Sequence, residues 1–335
     1  MYEESGISAD AQAIILVCTS LGLPRGDATR PFGPRGWAKL SARIGEPSGL
    51  IALSSTELLH LLGADAGEAD RLQRLLARTG QLAFELDRLR SRGIWTLTLA
   101  DDRYPARLRE RLAGDAPPVL FGSGEESLLD AGGVAIIGSR DVDEAGIAFT
   151  RRLAAAVARG ASSVVSGGAR GVDQEAMRAA FDAGGTVVGA LPEGIESRIR
   201  DGTTRAALAD GLAVLVSPYH PAAGFSAGAA MARNKVVYAL SDAAVVVSSA
   251  AESGGTWTGA VEALRAAWVP VLVRNEDGVP AGNAALISAG ARPLDPASIG
   301  DATTANHLVA ASGESAHRAA EDDAAYDPEQ LTLID

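Results

Sequence analysis

The sequence predicts an α/β fold in which a parallel sheet is covered by helices on both faces, with a small helical domain in front of it. Three observations carry that expectation. Six short, near-continuously apolar runs recur along the chain: Gly133 to Ile137, Ser163 to Val165, Thr186 to Leu191, Leu212 to Val216, Ala243 to Val247 and Val269 to Val273. Strands this apolar are buried on both faces, and segments of helical period separate them. Finally, 335 residues suffice for one large domain and one small one.

Taken in order, Ala9 to Gly93 is helical in pattern, with Leu58, Leu59, Leu61 and Leu62 in one segment and Leu72, Leu75, Leu76, Leu82, Phe84, Leu86 and Leu89 in the next. Glycine and proline cluster between Leu21 and Gly36 and mark a long loop. We expect a helical module over residues 1–92. Trp95, Leu97 and Leu99 then alternate as in a strand before an Asp-rich turn, and Pro117 to Gly122 leads into the sheet. Helices are expected over Glu144 to Arg159, Asp173 to Ala183, Thr204 to Asp210, Ala227 to Leu240 and Thr256 to Ala267. Ala284 to Asp295 closes a sheet domain spanning residues 93–298. Residues 299–335, rich in Ala, Ser, Gly and acidic side chains, are expected to form a disordered tail.

The formal charge of −12 argues against a surface that coats nucleic acid broadly. Residues 301 to 335 hold eight acidic residues against one Arg, so the body is only mildly acidic and a local basic groove is compatible with it. Cys18 is the sole cysteine, and the four histidines are scattered; neither a disulfide framework nor a metal site is expected. The apolar run Ile14 to Cys18 is far too short to span a bilayer. The reading is a cytoplasmic protein with no cofactor, no metal and no membrane partner.

Four segments carry chemistry. The first strand empties into Gly138-Ser139-Arg140, and the second into Ser166-Gly167-Gly168-Ala169-Arg170-Gly171, with Asp173 in the first turn of the next helix. In a strand-helix-strand unit both loops open at the same sheet edge, where ligands of open α/β sheets bind. Glycines let backbone N–H groups approach an anion, and a helix N-terminus adds a positive dipole end. Arg140 fits a phosphate fork or a surface ion pair with Asp141 or Asp143, and Asp173 fits either ligand contact or helix capping. The third segment is Arg233-Asn234-Lys235, on a helix that follows the loop SPYHPAAGFSAG; the fourth is Ser253-Gly254-Gly255-Thr256, another strand exit that runs into a helix. Together they describe a receptor for phosphates. The Walker lysine loop and the GxGxxG fingerprint are missing, and no catalytic set emerges from spacing, so binding rather than catalysis is expected.

GVAIIGSR, SGGARGVD, MARNKVVYALSD and SGGTWTGA, in that order and preceded by DDRYPARL and PPVLFGSG, resemble the DNA-processing protein A (DprA/Smf) family over about Gly93 to Asp295. The resemblance implies an extended Rossmann-like domain that binds single-stranded DNA in a basic pocket, works with a RecA-type recombinase in natural transformation, and forms a homodimer. It implicates Ser139, Arg140, Ser166, Gly167, Arg170, Gly171, Asp173, Arg233, Asn234 and Lys235 as lining that pocket. The chain departs from the family pattern in SPYHPAAGF after the fourth strand, in Lys235 where an arginine is usual, and in Gly168 where leucine is commoner. The terminal QLTLID resembles a sliding-clamp-binding peptide with Ile334 in place of its aromatic. Two other readings use the same cradle: a sensor of a nucleotide, and a nucleotide phosphoribohydrolase. The second needs a glutamate shortly after the Gly254-Gly255 loop, where this chain has Ala260 and Val261, with Glu262 turned away by roughly 100 to 200 degrees of helix.

Overall fold

The computed structural model describes residues 7–24 and 26–313. These fall into two compact units: one comprises residues up to Asp130 together with Val188–Ala239, the other Ala131–Val187 together with residues from Leu240 onward. Nine strands divide between them: β1 (Trp95–Thr98), β2 (Val119–Gly124), β3 (Val134–Ile137), β4 (Val164–Ser166), β5 (Val187–Ala190), β6 (Ala213–Ser217), β7 (Ala243–Val246), β8 (Val271–Arg274) and β9 (Arg292–Leu294). All six apolar runs read from the sequence are strands, and the fold is α/β.

In the first unit the helical segment begins at Ala9–Cys18, capped by Ser8, whose hydroxyl accepts from the Ala11 amide at 3.1 Å. Ser54 and Glu57 form a reciprocal capping box on Ser55–Leu61, and Asp65 caps Ala66–Leu76. Leu72, Leu75 and Leu76 turn one stripe of that helix inward, each contributing about 1.5–3 kcal/mol of burial. The C-terminus of Ala9–Cys18 ends on a buried arginine that sequence reading passes over. Arg78 is 5% exposed; it donates to the carbonyls of Leu75 (2.9 Å) and Thr19 (3.1 Å) and to those of Leu16 and Leu21. A cation there satisfies carbonyls that the helix end leaves orphaned and complements its dipole.

β1 pairs antiparallel with β2, Trp95 opposite Gly122, and β2 pairs antiparallel with β6, Phe121 opposite Ser217. This departs from the wholly parallel sheet expected. The Pro117-Pro118 stretch opens a strand of reversed direction, reached from β1 through the helix Ala106–Leu112. Tyr104 fixes that connection: its buried hydroxyl donates to the Pro117 carbonyl at 2.8 Å, and burial pushes its pKa up. Arg111, on Ala106–Leu112, donates to the Ala239 carbonyl at 2.9 Å, tying this helix to the end of Ala227–Leu240.

The second unit is the parallel part, in the order β4-β3-β7-β8-β9. Helices Glu144–Arg159 and Val172–Asp182 pack on it through Phe149, Leu153, Val157, Val172, Ala176 and Ala180 against Val134, Ile136, Val164 and Val245. The closing segment resolves into a helix, Ala281–Ser288, and the edge strand β9. The tail expected from residue 299 does not begin disordered. Ile299, Thr303, Ala305 and Leu308 are buried, residues 305–313 are helical, and the Thr303 amide donates to the Ala156 carbonyl at 2.9 Å. The apolar positions at 299, 305 and 308 decide this locally, against the acidic composition of the residues after them. The QLTLID segment lies outside the described residues. Among the described residues no helix is long and apolar enough to cross a membrane.

Replacing Arg78 by Met, similar in length and apolar, is expected to cost on the order of 3 kcal/mol, because buried carbonyls lose their donors at about 1–3 kcal/mol each. Urea unfolding monitored by circular dichroism measures it; a loss below about 1 kcal/mol would show that water or rearrangement satisfies those carbonyls instead.

Candidate functional site

Three of the four segments singled out from the sequence meet at one edge of the second unit. β4, β3 and β7 are adjacent and parallel, so residues 138–140, 166–173 and 253–256 leave the sheet on the same side. The loops after β3, β4 and β7 are also knitted together. The Ser139 amide donates to the Ser248 carbonyl at 3.0 Å and faces its hydroxyl at 3.3 Å, which joins the exits of β3 and β7. The Val172 amide donates to the Ser139 carbonyl at 3.4 Å, which joins β3 to the helix after β4.

Two glycines make this approach possible. Gly171 has φ +84°, and a Cβ there would lie 2.5 Å from the Ser139 carbonyl oxygen and 2.7 Å from that of Arg140. A Cβ on Gly138 would meet Val172 Cγ2 at 2.5 Å. The glycines expected to admit a ligand therefore also admit neighbouring backbone.

Asp173 and Ser166 act inward. The Asp173 carboxylate is buried and accepts from the amides of Gly167 (3.1 Å) and Ala169 (3.4 Å), so it holds the glycine loop in place. This role differs both from capping its own helix and from facing a ligand, and it occupies two amides of the expected anion nest. The Ser166 hydroxyl donates to the Ile136 carbonyl at 3.0 Å, inside the sheet. Ser139 Oγ accepts from the Asp141 amide at 3.1 Å.

The side chains that reach outward are Arg140 and Arg170, both exposed. Arg170 pairs with Asp141 at 2.7 Å, the two side chains 72% and 88% exposed; a pair so open to solvent is screened and easily exchanged for another anion. Gln174 Nε2 reaches the Gly168 carbonyl at 3.5 Å. At the third exit Ser253 and Gly254 are exposed, and Gly255 and Thr256 half-buried. The helix Gly254–Ala266 starts there with no side-chain capping bond from Ser253, so its N-terminal dipole end faces outward.

Arg233, Asn234 and Lys235 belong to the first unit, on the helix Ala227–Leu240. They are not the solvated face that three polar residues in a row suggest. Arg233 is only 4% exposed, and Asn234 and Lys235 are half-buried. The loop before that helix is built on a carboxylate cluster. Glu196 pairs with Arg88 and Arg92, each at 3.1 Å, and its amide donates to the Pro221 carbonyl. His220 in this loop is pushed below its ordinary pKa by burial, with Arg88 adding to that, against the pull of Glu196 and Glu85. Its Nδ1 accepts from the Ala222 amide at 3.1 Å.

Sequence reading missed Ser248 and Asn283. Asn283, fully buried, accepts from the Ser249 amide at 2.9 Å and donates to the carbonyls of Val247 (3.0 Å) and Arg274 (2.9 Å), binding the β7 exit to β8. An isolated asparagine in the otherwise apolar helix AGNAALIS is the signal that points to it. Among the described residues no group of His, Cys, Asp or Glu is arranged to hold a metal ion.

The family model for DNA recombination-mediator protein A matches residues 95–303. A putative DNA processing protein DprA from Mycobacterium tuberculosis is 32% identical over 286 residues, which cover 78% of this chain and 70% of that protein. The X-ray structure of DNA processing protein A from Streptococcus pneumoniae superimposes with a TM-score of 0.56 at 21% identity, covering 83% of this chain and 98% of that one; the likeness is one of fold. A DNA processing protein A from Helicobacter pylori, described for its single-stranded DNA binding mode, gives a TM-score of 0.49 at 27% identity, over 59% of this chain and 90% of that one.

Gly171→Ala is expected to destabilise the protein by about 1–3 kcal/mol through backbone strain alone, and by more if the Ser139 carbonyl has to move. Thermal unfolding checks this, and an unchanged midpoint would refute the close approach. For His220, whose folded pKa lies below that of the unfolded chain, stability is fully present above about pH 6.5 and is lost as pH falls toward the folded value. His220→Gln is expected to flatten the dependence of unfolding free energy on pH between about 5 and 7; an unaltered profile would mean that other groups set it.

Proposed function

The chain belongs to the DNA recombination-mediator protein A family, and from that premise we propose that it binds single-stranded DNA and acts in DNA recombination or in the uptake of DNA during natural transformation. One observation carries the reading: three adjacent parallel strands deliver glycine-bearing loops to one edge, locked to each other by backbone bonds, with the exposed guanidinium groups of Arg140 and Arg170 beside them. Such an edge offers two forked cations and a helix N-terminus to a polyanion.

In this reading Arg140, Arg170 and the Ser253–Thr256 helix start contact phosphate. Ser139, Ser166, Gly167, Gly168, Gly171 and Asp173 fix the loops. Lys235 and Asn234 contribute from the helix after β6, and Arg233 braces it. The module that does this spans residues 93–298, with the helical residues before it as a separate part. By the family resemblance, the partners are a RecA-type recombinase, a second copy of the chain and, through QLTLID, a sliding clamp; the cell compartment is the cytoplasm.

Single-strand binding releases about 0.7 counterion per neutralised phosphate, so about four contacts give a log-log salt slope of roughly −2.8 and a roughly fiftyfold loss of affinity for fourfold more salt. Arg140→Ala and Lys235→Ala are each expected to flatten the slope by about 0.7. A labelled oligonucleotide titrated against its duplex over a salt series measures both. Slopes unchanged in the two variants would remove these residues from the interface, and equal affinity for duplex would remove the preference for single strands.

A further inference from the structure

We propose that the first unit holds a separate binding site for a small, planar aromatic carboxylate, in a cavity whose cationic group is Lys235. The cavity measures about 520 Å³ and lies wholly within that unit, a size in the range of sites that enclose small ligands. Its walls come from five places in the sequence, Cys18 being one. Pro34 opens the helix Pro34–Ser41, Pro117 and Pro118 precede β2, Tyr219 follows β6, and Ala232 and Val236 lie one turn apart on Ala227–Leu240. Proline rings and an aromatic face present flat apolar surfaces, and a flat ring fits between them better than a branched or globular group.

The charges choose the rest of the ligand. Besides Lys235, the ionisable groups at the rim are Arg35 and Asp115, which already satisfy each other: Arg35 Nε and Nη2 donate to the two carboxylate oxygens at 2.7 and 3.0 Å. The Arg35 bonds hold the Asp115 carboxyl below its usual range, with Lys235 adding to the effect, so it is ionised at neutral pH. Cys18, also on the wall, has its thiol pKa raised by burial, and desolvation raises the phenol of Tyr219; both are neutral. The rim thus carries two cations and one anion, a net charge of +1. Among the described residues Lys235 makes no hydrogen bond and no ion pair within 4.0 Å. A half-buried ammonium in apolar surroundings gains most from a single negative charge. A phosphate monoester, close to two charges, would meet repulsion from Asp115, whereas a carboxylate matches the single positive charge.

The DNA reading and this inference share Lys235 but no other group, and the test uses no DNA. The probe is 2-naphthoate, with naphthalene-2-methanol as the uncharged control, cyclohexanecarboxylate as the non-planar one and inorganic phosphate as the wrong anion. Equilibrium dialysis with the full chain is expected to show saturable binding of 2-naphthoate. Cys18, the only cysteine, reports occupancy independently, because bound probe slows its alkylation. Lys235→Gln is expected to weaken binding at least tenfold, Asp115→Asn to strengthen it severalfold by removing the opposing charge, and Ala232→Phe to abolish it by filling the space. The opposite signs of the first two variants separate charge matching from general damage to the fold. Absence of binding at millimolar probe, affinity indifferent to both charge variants, or competition by phosphate or the uncharged control equal to that of the probe would each overturn the proposal. Loss of this binding with the salt slope of DNA binding still sensitive to Arg140→Ala would leave the DNA reading standing.

Discussion

The exits of three parallel strands in the second unit depend on where their backbone amides find partners. A strand that ends at a sheet edge leaves N–H groups with no ladder to join, and each buried one costs about 1–3 kcal/mol if left bare. Here a carboxylate and neighbouring loops supply the partners. Asp173 takes the amides of Gly167 and Ala169, and Ser248 takes that of Ser139. Asn283 takes the Ser249 amide and returns two donors to the carbonyls of Val247, just past β7, and of Arg274 on β8. The loops are rigid because they are mutually satisfied. That rigidity fixes the backbone from which the exposed Arg140 and Arg170 reach outward.

The first unit solves a related problem with cations. The end of Ala9–Cys18 and the turn after it present carbonyls to a buried space, and Arg78 reaches three of them, and that of Leu75 on the preceding helix, with one planar group that has donors in several directions. Lysine, with a single nitrogen, cannot cover that spread. Arg111 does the same for the end of Ala227–Leu240. In both places an arginine that reads as surface charge in the sequence is a structural tie.

How far the sequence could be read depends on these ties. Runs such as Ala243 to Val247 are apolar at every position, as a strand buried on both faces needs, so the second unit was legible in nearly every element. The reversed β2 was not. Val119, Leu120 and Phe121 are as apolar as the parallel strands, and strand direction leaves no trace in composition. The helical start of the expected tail was hidden by averaging, since Ala305 and Leu308 were read together with the acidic residues from Glu314 onward. At the candidate site, the glycines and arginines were visible because phosphate chemistry prescribes them. Partners such as Ser248 and Asn283 were not, since a residue that holds another by one backbone bond carries no spacing rule. Arg233 was read with Asn234 and Lys235 as one basic segment, whereas helical rotation of about 100 degrees per residue turns it, of the three, into the interior.

The occupied amides also change what kind of anion receptor the second unit is. A nest of bare N–H groups recognises one phosphate by fixed geometry and discriminates sharply among small anions. Here two of those groups answer to Asp173, and the outward chemistry passes to guanidinium groups on flexible stems that are already paired, in Arg170's case, with an exposed carboxylate. Exchanging that weak pair for a phosphate costs little, and the exchange can be repeated along a chain of phosphates with tolerance for their exact positions. A negative total charge of −12 does not oppose this, because charges more than about 10 Å away are screened at ordinary ionic strength and much of the excess sits after residue 300. The arrangement favours a polymer held by several weak, salt-sensitive contacts over a mononucleotide held by one strong one. A replaceable ion pair above a rigid, self-satisfied loop is suited to a strand that is bound and released.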